Sequence, residues 1–168
     1  MLRKFKRFTP LNVRKVLAET LVLSKITYCN TVYAELPNYL LNRLQRVQNT
    51  TAGYVLGKYA KMHDVVKGLN WLPILENIEH ATVKLTYLAL NDNKWPDYLP
   101  IELESARRSS RFDNTMKVSR GEPHSFRQQA LIFNDLPRAV RCSTSYASFK
   151  RASRNFFMDK ALTRSLSS

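Results

Sequence analysis

The sequence predicts a mainly α protein: a helical bundle with an irregular basic segment and further helices after it. Three observations carry this. Apolar residues recur at i, i+3, i+4 and i+7 over long stretches, which is the spacing of one helix face. Prolines sit where those stretches begin, at Pro10, Pro37 and Pro73. Hydrophobic residues make up 44% of the 168, enough for the packed core of one domain, or of one and a small appendage.

Thr9-Pro10 reads as an N-cap followed by proline at the first helical position. From there Val13, Val16, Leu17, Thr20, Leu21, Ser24 and Tyr28 fall on one side of a 3.6-residue repeat. Beyond Leu21 the helix is apolar nearly all round, the pattern of a central buried helix, and Cys29 within it reads as a small core residue. Glu35-Leu36-Pro37-Asn38 breaks it. A second helix runs from about Pro37 to Leu56, with Leu40, Leu44, Val47, Thr51 and Val55 inward and Asn42, Gln45, Arg46 and Asn49 wet. Gly53 costs it about 1 kcal/mol relative to alanine, and Gly57 is the expected C-cap.

A short helix near His63–Leu69 leads to the turn Trp71-Leu72-Pro73. The third long helix spans about Pro73–Leu90, with Ile78, Ala81, Thr82, Leu85, Leu88 and Ala89 as its apolar stripe. Residues 101–123 have little periodicity and read as a basic loop or linker, either wholly irregular or holding a short strand pair around Thr115–Ser119. A helix at His124–Asn134 and a turn at Asp135-Leu136-Pro137 follow. The last helix begins near Ser145, with Tyr146, Phe149, Ala152, Ser153 and Phe156 inward, and frays from Thr163. The organisation expected is a helical domain over 1–100, the basic segment 101–123, and a C-terminal helical segment over 124–168.

Charge is the strongest functional signal. The chain carries 27 Lys and Arg against 13 Asp and Glu, a net +14. Residues 1–61 hold eleven cations and two anions, 62–104 three and seven, 105–168 thirteen and four. Two basic ends flank an acidic middle, and if they fold together they make one face for a polyanion. The two cysteines, Cys29 and Cys142, form no C-x-x-C pair, and their low number suits a reducing compartment. No secretory leader is recognisable and the apolar stretch Leu21–Leu41 is too interrupted for a membrane span, so the expected location is intracellular, nuclear or cytoplasmic.

Catalytic patterns are missing. Asp64, Asp92, Asp97, Asp113, Asp135 and Asp159 are scattered, whereas two-metal chemistry needs grouped carboxylates. There is no glycine-rich phosphate loop, no G-x-S-x-G elbow, and no metal-ligand spacing around His63, His80 or His124. The expectation is no enzyme, no metal and no cofactor.

Several strings resemble the C-terminal part of reverse transcriptases from non-LTR retrotransposons, with the jockey-like and chicken-repeat-like branches nearest. They are Leu21-Val-Leu-Ser-Lys-Ile-Thr-Tyr-Cys-Asn30, Leu41-Asn-Arg-Leu-Gln-Arg-Val-Gln-Asn49 and Leu69-Asn-Trp-Leu-Pro-Ile74, followed in order by Leu85-Thr-Tyr-Leu-Ala-Leu90, Pro96-Asp-Tyr-Leu99, Arg108-Ser-Ser110, Phe133-Asn-Asp-Leu-Pro137 and Ser148-Phe-Lys150. The resemblance spans residues 2–157. It implies a helical thumb and post-thumb region that follows the catalytic palm. Thr27 stands where the family usually has Asp, Thr50 to Gly53 where it often has Ala-Ala and then Arg, and Phe133 where it tends to have Trp. The family's Tyr/Phe-Ala-Asp-Asp loop is nowhere in the sequence. The resemblance therefore implies a truncated, noncatalytic piece of an RNA-directed DNA polymerase.

The residues expected to contact nucleic-acid backbone are Lys4, Arg7, Arg43, Arg46, Arg107, Arg108, Arg111, Lys150, Arg151 and Arg154. Arg43 and Arg46 lie one turn apart, as a thumb helix contacting template–primer would place them, or as an ordinary solvated face does. Arg107, Arg108 and Arg111 sit in a polar loop, contacting phosphate or simply solvated. Lys150, Arg151 and Arg154 ride beside an aromatic stripe. Lys4 and Arg7 belong to a basic cluster that also fits a disordered tail or a localisation signal. Tyr28, Trp71, Trp95, Tyr98 and Phe149 could stack on bases, but aromatics in these settings usually form core. The expected partner is RNA or an RNA–DNA duplex, bound without sequence preference, with no small-molecule substrate. The alternatives are a noncatalytic helical protein-interaction module or inert remnant and, last, an acidic membrane surface.

Overall fold

The computed structural model describes residues 9–91, 115–118 and 124–166. The fold is mainly α, helix packed on helix, with no strand among the described residues. In chain order the helices are α1 (Leu11–Ala18), α2 (Ser24–Thr27), α3 (Asn38–Leu56), α4 (Ile74–Asn91), α5 (His124–Asn134), α6 (Arg138–Arg141) and α7 (Tyr146–Leu166). A π-helical turn, Glu19–Leu23, joins α1 to α2, and a 3-10 segment, Asn30–Glu35, precedes α3. The chain divides into two compact units: Met1–Ile78 with Phe157–Ser168, and Glu79–Phe156.

Prolines start these helices from one position further out than the sequence suggests. Pro10, Pro37 and Pro137 are cap residues with extended ψ, not first helical residues. Each accepts the first helical hydrogen bond through its carbonyl, from Arg14, Leu41 and Arg141 respectively, and Pro73 does the same for Asn77. The fixed φ of proline suits this position and its missing N–H is not needed there.

In the first unit, α1 packs on α3. Ala18, Ala52, Tyr54, Val55, Ala60, Val65, Leu69 and Trp71 form the core, with Leu23 and Leu56 against it. Trp71 Nε1 donates to Glu19 Oε1 at 2.7 Å, and Arg14 Nη1 donates to the Tyr54 carbonyl at 3.3 Å. The start of α4 is held by two amides of α3. Gln48 Nε2 donates to the Leu72 carbonyl at 2.8 Å, and Gln45 Oε1 accepts the Ile74 N–H at 2.9 Å. That N–H is one of the orphan donors of a helix N-terminus. Further along α4, buried Glu76 is gripped by Arg164 of α7, Nη1 to Oε1 at 3.0 Å and Nη2 to Oε2 at 3.1 Å.

The sequence reading of the first helix fails here. Val16 is 56% exposed, Leu21 55% and Tyr28 76%, and Ala18 is the buried residue of α1. The helical run also ends at Thr27, ahead of the expected break. Cys29 is exposed, not core, and adopts a left-handed conformation with φ 49°. Thr20, Ser24 and Thr27 all turn their hydroxyls back onto carbonyls four residues earlier. Such bonds compete with the helical ladder and deform it. The stretch is apolar in composition, but its hydroxyls weaken the helix and its other side faces solvent.

The second helix keeps its boundaries and its C-cap. Gly57 has φ 78° and donates its N–H to Gly53 O at 3.0 Å. Its stripe is only half right: Thr51 and Val55 are buried, Leu40 and Leu44 half-buried, Val47 exposed. Gln48, which no apolar pattern selects, is buried because it serves the start of α4.

In the second unit Tyr87 of α4 stacks on Phe149 of α7, with centroids 4.2 Å apart, and Phe133 of α5 lies 6.3 Å from Phe149. Tyr87 Oη donates to the Ser143 carbonyl at 2.8 Å, and Gln129 Nε2 to Thr86 Oγ1 at 2.7 Å. Ile78, Thr82 and Ala89 are buried as expected, but Leu85 and Leu88 are exposed. Val83, Thr86 and Tyr87 point inward instead, so the buried face of α4 is rotated from the apolar stripe. Residues 115–118 form no strand, and Met116 is an isolated bridge residue; Ser119, the end of the expected strand pair, lies outside the described residues. Asn134 brackets Met116: its Oδ1 accepts the Met116 N–H at 2.8 Å and its Nδ2 donates to the Met116 carbonyl at 3.0 Å. The last helix has Phe149, Ser153 and Phe157 buried and Tyr146 exposed, and it continues to Leu166 without fraying at Thr163.

Candidate nucleic-acid interface

Ion pairing sorts the described cations. Lys58 Nζ sits 2.7 Å from Asp64 Oδ1, and its hydrogen bond, with that of the Lys61 N–H, holds the Asp64 carboxyl below its usual range. Lys15 lies 4.0 Å from Glu19, and Arg164 is committed to Glu76. Arg43, Arg46, Lys84, Lys150 and Arg151 have no carboxylate within ion-pair distance among the described residues.

Arg43 and Arg46 are exposed on α3, in the first unit. They flank a cleft of about 520 Å³ lined by Tyr33, Leu36, Leu40, Leu44 and Val47. The 3-10 segment supplies one wall and α3 the other. The i, i+3 spacing puts both guanidinium groups on one helix side, where each can reach a phosphate.

Lys150, Arg151 and Arg154 belong to the second unit. Lys150 and Arg151 are exposed; Arg154 is half-buried. Two residues of α4 join them that the sequence reading missed. His80 Nε2 lies 3.3 Å from the Lys150 carbonyl, and the residue is only 5% exposed. Burial, then Lys84, push its pKa down to about 4, with Arg154 and Lys150 adding to the effect. Lys84 is half-buried, and its pKa is lowered first by burial, then by Lys150 and Arg154. The signal was the one-turn spacing of His80 with Lys84 and of Lys150 with Arg154. Only the tertiary pairing of α4 with α7 brings the two together.

Lys4, Arg7, Arg107, Arg108 and Arg111 lie outside the described residues, as do Trp95 and Tyr98. The described site residues divide between the units, Arg43 and Arg46 in the first, Lys150, Arg151 and Arg154 in the second. Of the aromatics, Trp71 and Phe149 are core and Tyr28 is exposed. Cys29 and Cys142 are both exposed and are not joined to each other. Among the described residues no three His, Cys, Asp or Glu side chains gather as a metal site, and no helix is long and apolar enough to cross a membrane. Comparison with known proteins finds no matching family model, no matching curated protein and no matching solved structure.

Proposed function

We propose that this chain binds the backbone of RNA or an RNA–DNA duplex without sequence preference and without catalysis, in the manner of a reverse-transcriptase thumb and post-thumb region. The observation that carries the reading is a set of exposed cations on helix faces with no ion-pair partner among the described residues, Arg43 with Arg46 and Lys150 with Arg151, in a chain of net charge +14. Phosphate contacts of this kind release counterions, so affinity falls steeply with salt from a nonspecific Kd of about 10⁻⁴–10⁻⁶ M. The ordered resemblance from Leu21 to Lys150 supports the same reading.

The test is anisotropy of a labelled RNA–DNA duplex at about 50 and 200 mM salt. A charge-matched unfolded peptide is the control. The folded chain binds more tightly than the peptide, and the Arg43→Gln/Arg46→Gln double variant flattens the log–log salt slope by about 2. Equal binding by the peptide overturns the reading. A second reading, a helical protein-interaction module, is favoured by the apolar cleft beside Arg43 and Arg46 and by exposed Val32 and Tyr39 near it in sequence. Leu44→Ser distinguishes the two: it leaves duplex affinity unchanged in the first and abolishes partner capture in the second.

A further inference from the structure

We infer that Lys84, Lys150 and Arg154 form one discrete site for a phosphate oxyanion in the second unit, an inference that rests on the backbone-binding reading and extends it to Lys84. Within this unit α4 and α7, the two helices that carry the site, pack on one another. Tyr87 of α4 stacks on Phe149 of α7 with centroids 4.2 Å apart, and His80 of α4 meets the Lys150 carbonyl at 3.3 Å. Lys84 lies between His80 and Tyr87 on α4, one turn from His80. It is therefore carried along the line where α4 passes α7, opposite the turn that bears Lys150 and Arg154.

The electrostatics agree with that placement. Burial is the first cause that lowers the Lys84 pKa, and the charged groups that add to it are Lys150 and Arg154, both cationic. Among the described residues Lys84 and Lys150 have no carboxylate within ion-pair distance to offset them. Like charges held together at a partly desolvated position cost free energy, and an oxyanion placed among them turns each repulsion into a shared attraction. The buried His80 ring, its pKa held down to about 4, adds no charge at neutral pH. Two ammonium groups and a guanidinium offer more donors than one carboxylate can use, which suits the several oxygens of a phosphate. That oxyanion comes either from a nucleic-acid backbone or from free phosphate, and the experiment separates them.

Two measurements on the full chain test the site. In the first, labelled duplex is titrated against wild type, Lys84→Gln, Lys84→Arg and Lys67→Gln; Lys67 is an exposed lysine of the first unit and removes the same charge elsewhere. Lys84→Gln weakens binding about tenfold, Lys67→Gln by no more than about twofold, and Lys84→Arg restores most of the loss. In the second, inorganic pyrophosphate is added while the His80 ring resonances are followed by NMR. They shift in wild type and Lys84→Arg and stay still in Lys84→Gln. If Lys84→Gln matches Lys67→Gln and pyrophosphate leaves His80 unmoved, the site is overturned while duplex binding by wild type keeps the broader reading. If His80 shifts with pyrophosphate in a Lys84-dependent way but wild type ignores the duplex, the site is upheld for free phosphate and the nucleic-acid reading falls.

Discussion

Arg164 holds both carboxylate oxygens of Glu76, at 3.0 and 3.1 Å, across 88 residues of sequence. Glu76 is 1% exposed, so its charge has little water to fall back on. The second nitrogen of the fork also reaches Met62 Sδ at 3.5 Å. Removing one partner of such a pair leaves a buried charge without compensation. Arg164→Ala lowers the urea unfolding free energy by about 3 kcal/mol. Glu76→Gln costs less, because no buried charge is left behind, and Arg164→Lys falls between them, since an ammonium cannot grip both oxygens.

Acid stability depends on His80. Unfolded, the imidazole titrates near 6.5; folded, at about 4. Between those values the unfolded chain holds more protons, so stability rises with pH across that window. The contribution is fully present above pH 6.5, declines as acid is added, and is gone below about 4. Its size is about 2–3 kcal/mol. Urea midpoints measured from pH 4 to 7 show the decline in wild type, and His80→Gln flattens it in that range.

The two glycines at the end of α3 respond in ways that helix propensity alone does not foresee. Gly57 has φ 78°, so Gly57→Ala destabilises the protein by about 1 kcal/mol. Alanine at Gly53 brings the usual helical gain of about 1 kcal/mol, but its Cβ would lie 3.0 Å from the Lys58 carbonyl oxygen. That oxygen belongs to backbone and cannot swing aside. Gly53→Ala therefore yields no stabilisation by thermal melting, and a clear rise in melting temperature would show that the chain after Gly57 gives way easily.

The helix framework was legible because local rules wrote it. Prolines 10, 37 and 73 mark helix starts, Gly57 marks an end, and Ser145 accepts the Ser148 N–H at 3.2 Å where α7 begins; Pro137, read only as part of a turn, caps the short helix α6. Which face turns inward was less legible. Leu85 and Leu88 are exposed while Thr82 and Thr86 are buried, because Thr86 is bonded to Gln129 and to the Thr82 carbonyl. A satisfied hydroxyl in a core looks polar to any hydropathy pattern. The cationic site shows the same limit. Lys150 and Arg154 could be found from their spacing, but Lys84 sits in the acidic third of the chain and acquires its role only through the tertiary contact of His80 with Lys150.

The bare leucine and valine side chains at 11, 13, 16 and 21 have a practical consequence for handling the protein. At low ionic strength, mutual repulsion between highly cationic molecules keeps these greasy surfaces apart. Adding electrolyte shortens the reach of that repulsion to about 10 Å at 0.1 M, while attraction between hydrocarbon surfaces persists. Purified material should thus cloud as buffer is made saltier, opposite to the behaviour of precipitates held together by polyanions, and light scattering recorded beside any titration tells the two apart.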